Sequence, residues 1–321
     1  MIRLPFFLAY GMRKFTKSGF EKASKSFNSD DLAVDMKGKH ILMTGGNQGI
    51  GFSAAMSLAR RGATIYLVCR NAEKGKEAVE RIKSETGNED VHLRLCDVSS
   101  LQDIRKLATE YKQSGLPLHV LINNAGVMVE PRKSADGYEI NFATNTLGSY
   151  AVSRAFESIL KSSSPSRIIF VSSGGSLTEP LVVDDLEGDN VKKDSNFGQT
   201  QYARDKRRQV VIAEQLAEEL AASNIFVCSM HPGWCDTSGV VNSMPSFHER
   251  FKTSLRTPDQ GADTIVWLSV KEAKSLEPGA FYLDRAPQSK HLPLAATGYS
   301  KEEAETLIKK LDVLSKPAIP S

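Results

Sequence analysis

The chain has 321 residues, 40% of them hydrophobic and 25% charged, which excludes an extended disordered chain and fits one large α/β domain or two modest ones. Its formal net charge is +3, with no dense Lys/Arg block, so no nucleic-acid partner is expected.

Residues 1–38 precede the first strand. An apolar run from Ile2 to Tyr10 is too short to span a bilayer. Arg13, Lys14 and Lys17 follow it with no small-residue cleavage site, which argues against a secretory signal. The basic stretch also carries Phe6, Phe7, Tyr10, Phe15, Phe20 and Phe27. Three readings stay open for it: peripheral membrane contact through residues 1–28, a mitochondrial targeting segment, or an arm packed back on the domain.

From His40 the pattern alternates strand and helix. Apolar strands are expected at 40–43, 64–69, 91–96, 118–122, 167–172, 225–230 and 280–283. Helices are expected at 52–60, 72–85, 101–113, 138–161, 201–222, 258–270 and 301–314. Buried apolar strands alternating with helices imply a parallel sheet covered on both faces. The expectation is a doubly wound, Rossmann-type α/β domain over 39–290, with a basic arm at 1–38 and a helical tail at 291–321. Three of the four cysteines, Cys69, Cys96, Cys228 and Cys235, lie in the apolar strand-like runs, and none form Cys-x-x-Cys. Buried free thiols of an intracellular, reducing compartment are expected. The location is expected to be cytoplasmic or peripheral to an organelle membrane. No zinc-like spacing occurs, so no metal is expected.

The stretch from Thr44 to Gly51, TGGNQGIG, sits on a strand-to-helix turn. There, backbone N–H groups and a helix dipole can meet a phosphate. Gly45 lets the turn close, Gly49 lets a pyrophosphate approach, and Gly51 lets the helix pack closely. Ligands of such sheets bind beyond the strand C-termini. After the second strand comes Arg70, with no acidic residue to take a ribose hydroxyl. Asn47 and Gln48 carry no charge, so the guanidinium of Arg70 is the candidate for a 2′-phosphate, favouring NADP(H) over NAD(H). After the third comes Asp97-Val98, suited to an adenine amino group or to capping the next helix. After the fourth comes Asn123-Asn124-Ala125-Gly126. Asn145 falls mid-helix, a disfavoured position that suggests a role or a kink. Tyr202 and Lys206, four apart, share a helix face. A phenol ionises near pH 10, and a neighbouring ammonium would lower that, making Tyr202 a general acid/base.

TGGNQGIG, NNAG, the N-T-L-G at Asn145, the serine after the fifth strand, Tyr202-Ala203-Arg204-Asp205-Lys206 and His231-Pro232-Gly233-Trp234-Cys235-Asp236-Thr237 occur in order over residues 38–285. Together they resemble the short-chain dehydrogenase/reductase superfamily. Cys69 to Gly75, Asp184-Asp185-Leu186, FTKSGFEKASKSF, MHPGW and His291 to Ala295 resemble its retinol-dehydrogenase-like branch. The resemblance implies hydride transfer between a nicotinamide and a carbonyl or alcohol. It implies that Tyr202 exchanges the proton, that Ser173 rather than Ser172 orients the carbonyl, that Lys206 also holds the nicotinamide ribose, and that Asn145 holds a water in a proton relay. Thr44, Gly45, Asn47, Gln48, Gly49, Ile50, Gly51, Arg70, Asp97, Val98, Asn124, Ala125 and Gly126 would contact the dinucleotide. Pro232, Gly233 and Thr237 would pack beside the nicotinamide. Val240, Val241, Met244, Pro245, Phe247 and Phe251 suggest an apolar wall for a lipid-like substrate, or simply core. A homodimer through the helices at 138–161 and 201–222 is implied by analogy.

Overall fold

The structure, a computed structural model, describes residues 3–134 and 136–320. Residues 1 and 2 of the basic arm and the last residue of the tail lie outside the described residues.

The arm folds into two helices, α1 (Arg3–Lys14) and α2 (Lys17–Ser24), joined through Thr16, whose hydroxyl accepts from Gly19 N. Sequence periodicity missed both, because the aromatic residues face different neighbours rather than one stripe. Phe15 is buried against His231, at 4.3 Å between ring centroids, while Phe20 packs on Phe27 at 5.8 Å. Gly11 lets α1 lie against Trp234, since a Cβ there would stand 2.4 Å from the indole. Of the three readings of the arm, these contacts are those of the packed one.

Then come β1 (His40–Thr44), α3 (Gly49–Ala59), β2 (Thr64–Cys69), α4 (Ala72–Thr86), β3 (Val91–Leu95), α5 (Leu101–Gln113) and β4 (Val120–Asn123). A π-helical segment, Phe142–Gly148, leads into α6 (Ser149–Ala155) and α7 (Glu157–Ser162). β5 (Ser166–Val171), α8 (Phe197–Leu220) and β6 (Ile225–Met230) follow. The chain closes with α9 (Ser238–Ser243), α10 (Pro245–Phe251), α11 (Pro258–Val270), β7 (Phe281–Leu283), β8 (Ala286–Gln288) and α12 (Lys301–Ser315).

The sheet order is β3-β2-β1-β4-β5-β6-β7-β8, parallel except for the β7–β8 hairpin. Successive residues of β1 go to opposite layers: Leu42 packs with Phe170 and Val227, while Ile41 and Met43 pack with Ile169 and Cys228. That two-sided burial explains the continuous apolar runs. The expected doubly wound α/β fold is present. The chain order reverses between β1 and β4, so ligand-facing residues gather at the C-terminal ends of those strands and their neighbours.

Three boundaries differ from expectation. The helix expected at 138–161 starts later and breaks, since Glu139 bridges to Lys133 and its carboxylate accepts from Phe142 N. The helix expected from Gln201 starts four residues earlier, at Phe197. β8 was not expected: its two-residue turn places Asp284 and Arg285 at positive φ (51° and 58°), without the Asn-Gly that usually marks such a turn. The tail is not peripheral. Ala304, Leu307 and Leu311 of α12 join the core cluster holding Val211, Leu216 and Leu220, and Asp312 accepts from Tyr150 Oη at 2.6 Å. α12 thus covers faces of α6 and α8, the helices that analogy assigned to a dimer.

Candidate active site

The glycine loop is braced from behind. Thr44 Oγ1 accepts from Asn124 N and Ala125 N, both at 3.0 Å, and Asn124 Nδ2 donates to Thr44 O and Gly45 O. Thr44 and Asn124, expected at the cofactor, therefore turn their side chains into the protein and tie the loop to the end of β4. A Cβ at Gly51 would stand 2.5 Å from both Asn124 Nδ2 and Gly45 O, so α3 begins hard against that brace. Gly45 has φ +68° and Gly49 φ +55°. Gln48 sits at the N-cap of α3 with no side-chain cap bond, leaving the first-turn N–H groups for an anion. Asn47 and Gly46 turn their N–H groups to the Cys69 thiol, and Ile50 faces Gly261 of α11.

Arg70 lies exposed at the end of β2. It lines an open depression of about 490 Å³ with Asn71, Leu95, Cys96, Asp97, Asp103 and Lys106. Asp97 Oδ1 accepts from Ser99 N and Ser99 Oγ, while Ser100, not Asp97, caps α5. Val98 is buried, its carbonyl set against Gly148 of the π-helical segment. Lys106, a second cation at this depression, went unnoticed in the sequence because it reads as an ordinary solvated helix lysine.

At the end of β5, Ser172 and Ser173 diverge. Ser172 is buried and donates to Lys206 O at 2.7 Å. Ser173 is half-buried, its hydroxyl accepts from Gly175 N at 3.1 Å, and it lies beside the Tyr202 phenol, where it favours the ionised form. The register that selects Ser173 is the one the structure brings to Tyr202. Lys206 stands 5.3 Å from the centroid of the Tyr202 ring and is buried. Its ammonium donates to Val171 O at 2.8 Å and Gln209 Oε1 at 3.0 Å. A Cβ at Gly126 would stand 3.4 Å from Nζ, so this glycine opens the floor beneath the lysine.

Electrostatics correct one expectation. Burial pushes the Tyr202 phenol up to about 12, Asp205 adds to the rise, and the neighbouring Ser173 hydroxyl opposes it. The ammonium does not lower it, because Lys206 is turned to Val171 and Gln209 rather than to the phenol oxygen. Burial pulls Lys206 down to about 8 against the attraction of Asp205. The same burial raises Asp205 to about 6, with Arg208 opposing.

Asn145 sits inside the π-helical segment, so the misfit of a mid-helix amide is a real distortion. Its Oδ1 accepts from Val127 N and its Nδ2 donates to Val127 O. Its backbone carbonyl accepts from both Gln209 Nε2 at 2.8 Å and Ser149 Oγ at 2.7 Å. Side-chain donors from two other positions thus converge on that oxygen.

The segment from His231 to Thr237 spans the site. His231 Nε2 would lie 2.9 Å from a Cβ on Gly174, beside Ser173, and Thr237 Cγ2 would lie 3.3 Å from a Cβ on Gly49. Pro232 is buried, and Gly233 has φ +85° with the Arg256 guanidinium packed where its Cβ would be. Thr237 caps α9 by accepting from Val240 N. Trp234 meets Phe7, Phe247 and Phe251 at 6.3, 5.2 and 5.4 Å, and Val241 is exposed.

Sequence reasoning missed three arginine and amide anchors. Arg256 directs its donors to Asp284, Pro232 O, Lys14 O and Thr16 O. Arg208 pairs with Asp205 at 2.9 Å and reaches Val182 O, Asp185 O and Leu186 O of the loop before α8. Gln209 links Lys206 to Asn145. For Arg208 and Gln209 the signal was present in the run ARDKRRQVVIA, where charged residues occupy the buried face of a helix. All four cysteines are free and buried. No His/Cys/Asp/Glu group able to hold a metal occurs among the described residues.

Residues 39–183 match the short chain dehydrogenase family. The chain is 45% identical over 310 residues to bovine (Bos taurus) dehydrogenase/reductase SDR family member 12, covering 96% of each. It is 34% identical over 290 residues to human (Homo sapiens) retinol dehydrogenase 11, covering 88% of this chain and 87% of the relative. A solved putative short chain dehydrogenase from Escherichia coli CFT073, complexed with NADPH, superposes with a TM-score of 0.64 at 23% identity, covering 81% of this chain and 100% of that one. The chain therefore belongs to the short-chain dehydrogenase/reductase family of oxidoreductases.

Proposed function

We propose that this protein is an NADP(H)-dependent carbonyl reductase or alcohol dehydrogenase for an apolar, lipid-like substrate. The observation that carries the reading is the Ser173 hydroxyl beside the Tyr202 phenol, with the Lys206 ammonium 5.3 Å from the centre of the same ring. The residues present fit a dinucleotide. The start of α3 is uncapped, a Cβ on Gly51 would strike the loop brace, and Arg70 and Lys106 supply cations for a 2′-phosphate. The NADPH carried by the Escherichia coli neighbour supports the same preference. Bound there, the nicotinamide would supply or accept the hydride at the substrate carbon.

The chain's own residues handle the proton. Ser173 and Tyr202 both donate to the carbonyl oxygen, fixing it and stabilising the charge that develops on it. A phenol raised to about 12 is protonated at neutral pH, the state from which carbonyl reduction starts. Lys206 supplies positive charge and an N–H toward the ribose. Phe7, Trp234 and Phe247 offer an aromatic wall beside this end of the site, which suits an apolar substrate. The name of the retinol dehydrogenase relative points the same way.

Four buried free thiols support an intracellular location. No helix among the described residues is long and apolar enough to cross a membrane. The test is NADPH consumption with a panel of apolar and polar aldehydes and ketones. Turnover favouring the apolar members is expected. NADPH binding with no turnover of any carbonyl would instead support a non-catalytic dinucleotide-binding protein.

A further inference from the structure

We propose that Gln209 is the positioning residue of Lys206, its carboxamide joining the lysine ammonium to the Asn145 backbone carbonyl. The inference rests on the oxidoreductase reading above and deepens it.

A lysine ammonium has three donors and no acceptor. One is used on Val171 O and one on Gln209 Oε1. Because the ammonium can only donate, the amide atom facing it must be the oxygen, which leaves Nε2 to face Asn145 O. The orientation of the amide is therefore settled by chemistry on both sides. Gln209 is fully buried, and its Nε2 also reaches toward Ser149 Oγ at 3.5 Å. With Nζ held from β5 on one side and from α8 on the other, the third N–H points by exclusion past Gly126 into the cleft. That glycine is exposed and lies 3.4 Å, at its ideal Cβ, from Nζ. The third N–H is the donor available to a dinucleotide ribose.

The second consequence concerns protons. A carboxamide does not relay a proton without passing through its imidic form, and Asn145 O already accepts from Gln209 and Ser149. In carbonyl reduction the Tyr202 Oη–H bond breaks and its proton joins the carbonyl oxygen. The phenolate then regains a proton from water in the cleft once product has left.

The experiment compares Gln209→Leu and Gln209→Glu with the unmodified full-length protein. NADPH affinity is read by tryptophan quenching well below the melting transition, and kcat and KM are read with an apolar aldehyde. Gln209→Leu removes the acceptor, and NADPH binding weakens about fivefold or more while kcat falls about tenfold or more at an unchanged aldehyde KM. Gln209→Glu keeps the acceptor and stays within about threefold of the unmodified protein on both. A purely structural role would lower the melting temperature of both variants without separating them. Unmodified values for Gln209→Leu, or equal losses in the two variants, overturn the proposal. Should Gln209→Leu fail to fold, Gln209→Glu decides alone: a tenfold loss of NADPH affinity overturns it. A protein that binds NADPH without turnover refutes the catalytic reading but leaves the affinities to judge Gln209. One that binds no NADPH overturns both.

Discussion

Replacing Arg256 by Met should release the N-terminal arm. All five guanidinium donors are engaged: two on the Asp284 carboxylate, at 2.6 and 2.9 Å, and the others on Pro232 O, Lys14 O and Thr16 O. The pair is nearly fully buried, with the arginine side chain 1% exposed and the aspartate 8%. Methionine fills much of the volume but leaves Asp284 as a buried charge without its partner, a loss of about 3–5 kcal/mol. For 321 residues the unfolding entropy is about 0.67 kcal/mol/K, so the melting temperature should fall by about 4–7 °C. The backbone bonds of Lys14 and Thr16 to the guanidinium go at the same time, so the chain around the already exposed Arg13 and Lys17 can unfold locally into a form that trypsin cuts. Arg256→Lys keeps the charge opposite Asp284 and should lose less. The assay is thermal unfolding with limited trypsin digestion read by mass. A melting shift under about 1 °C with an uncut arm would refute the claim that this buried arginine ties the arm to the domain.

Two further outcomes follow from the site. Arg70→Ala should weaken NADPH by about 10–100-fold, the worth of a charge-assisted hydrogen bond, and leave NADH unchanged in the same titration. Carbonyl reduction should hold steady below about pH 7 and decline as pH rises through about 8, because Lys206 loses its proton there while Tyr202, near 12, keeps its own. A pH profile of kcat/KM that rises through this range would contradict that assignment.

Much of this site was legible in the sequence because its signals are local. The glycine loop, the residues just past each strand and the four-residue spacing of Tyr202 and Lys206 depend only on strand, turn and helix geometry. What was not legible depends on distant partners. Arg256 meets a carboxylate 28 residues away and carbonyls 240 and 242 residues away. Gln209 matters because Asn145 carries a π-helical distortion 64 residues earlier. The Asn145 carbonyl was no more legible, since the donor that reaches it from Gln209 lies on another helix. The phenol shift was misjudged because proximity along a helix does not say where an ammonium points: Lys206 turns to Val171 and Gln209 instead.

Tyr202 as proton donor in a dinucleotide-dependent reduction is the proposal on which the rest of the site depends. The most direct measurement is Tyr202→Phe, comparing NADPH affinity with turnover of the best apolar aldehyde. Affinity should stay within about threefold of the unmodified protein and turnover should fall by about 10²–10⁴, the range of a lost general acid. Turnover that survives the substitution would contradict it.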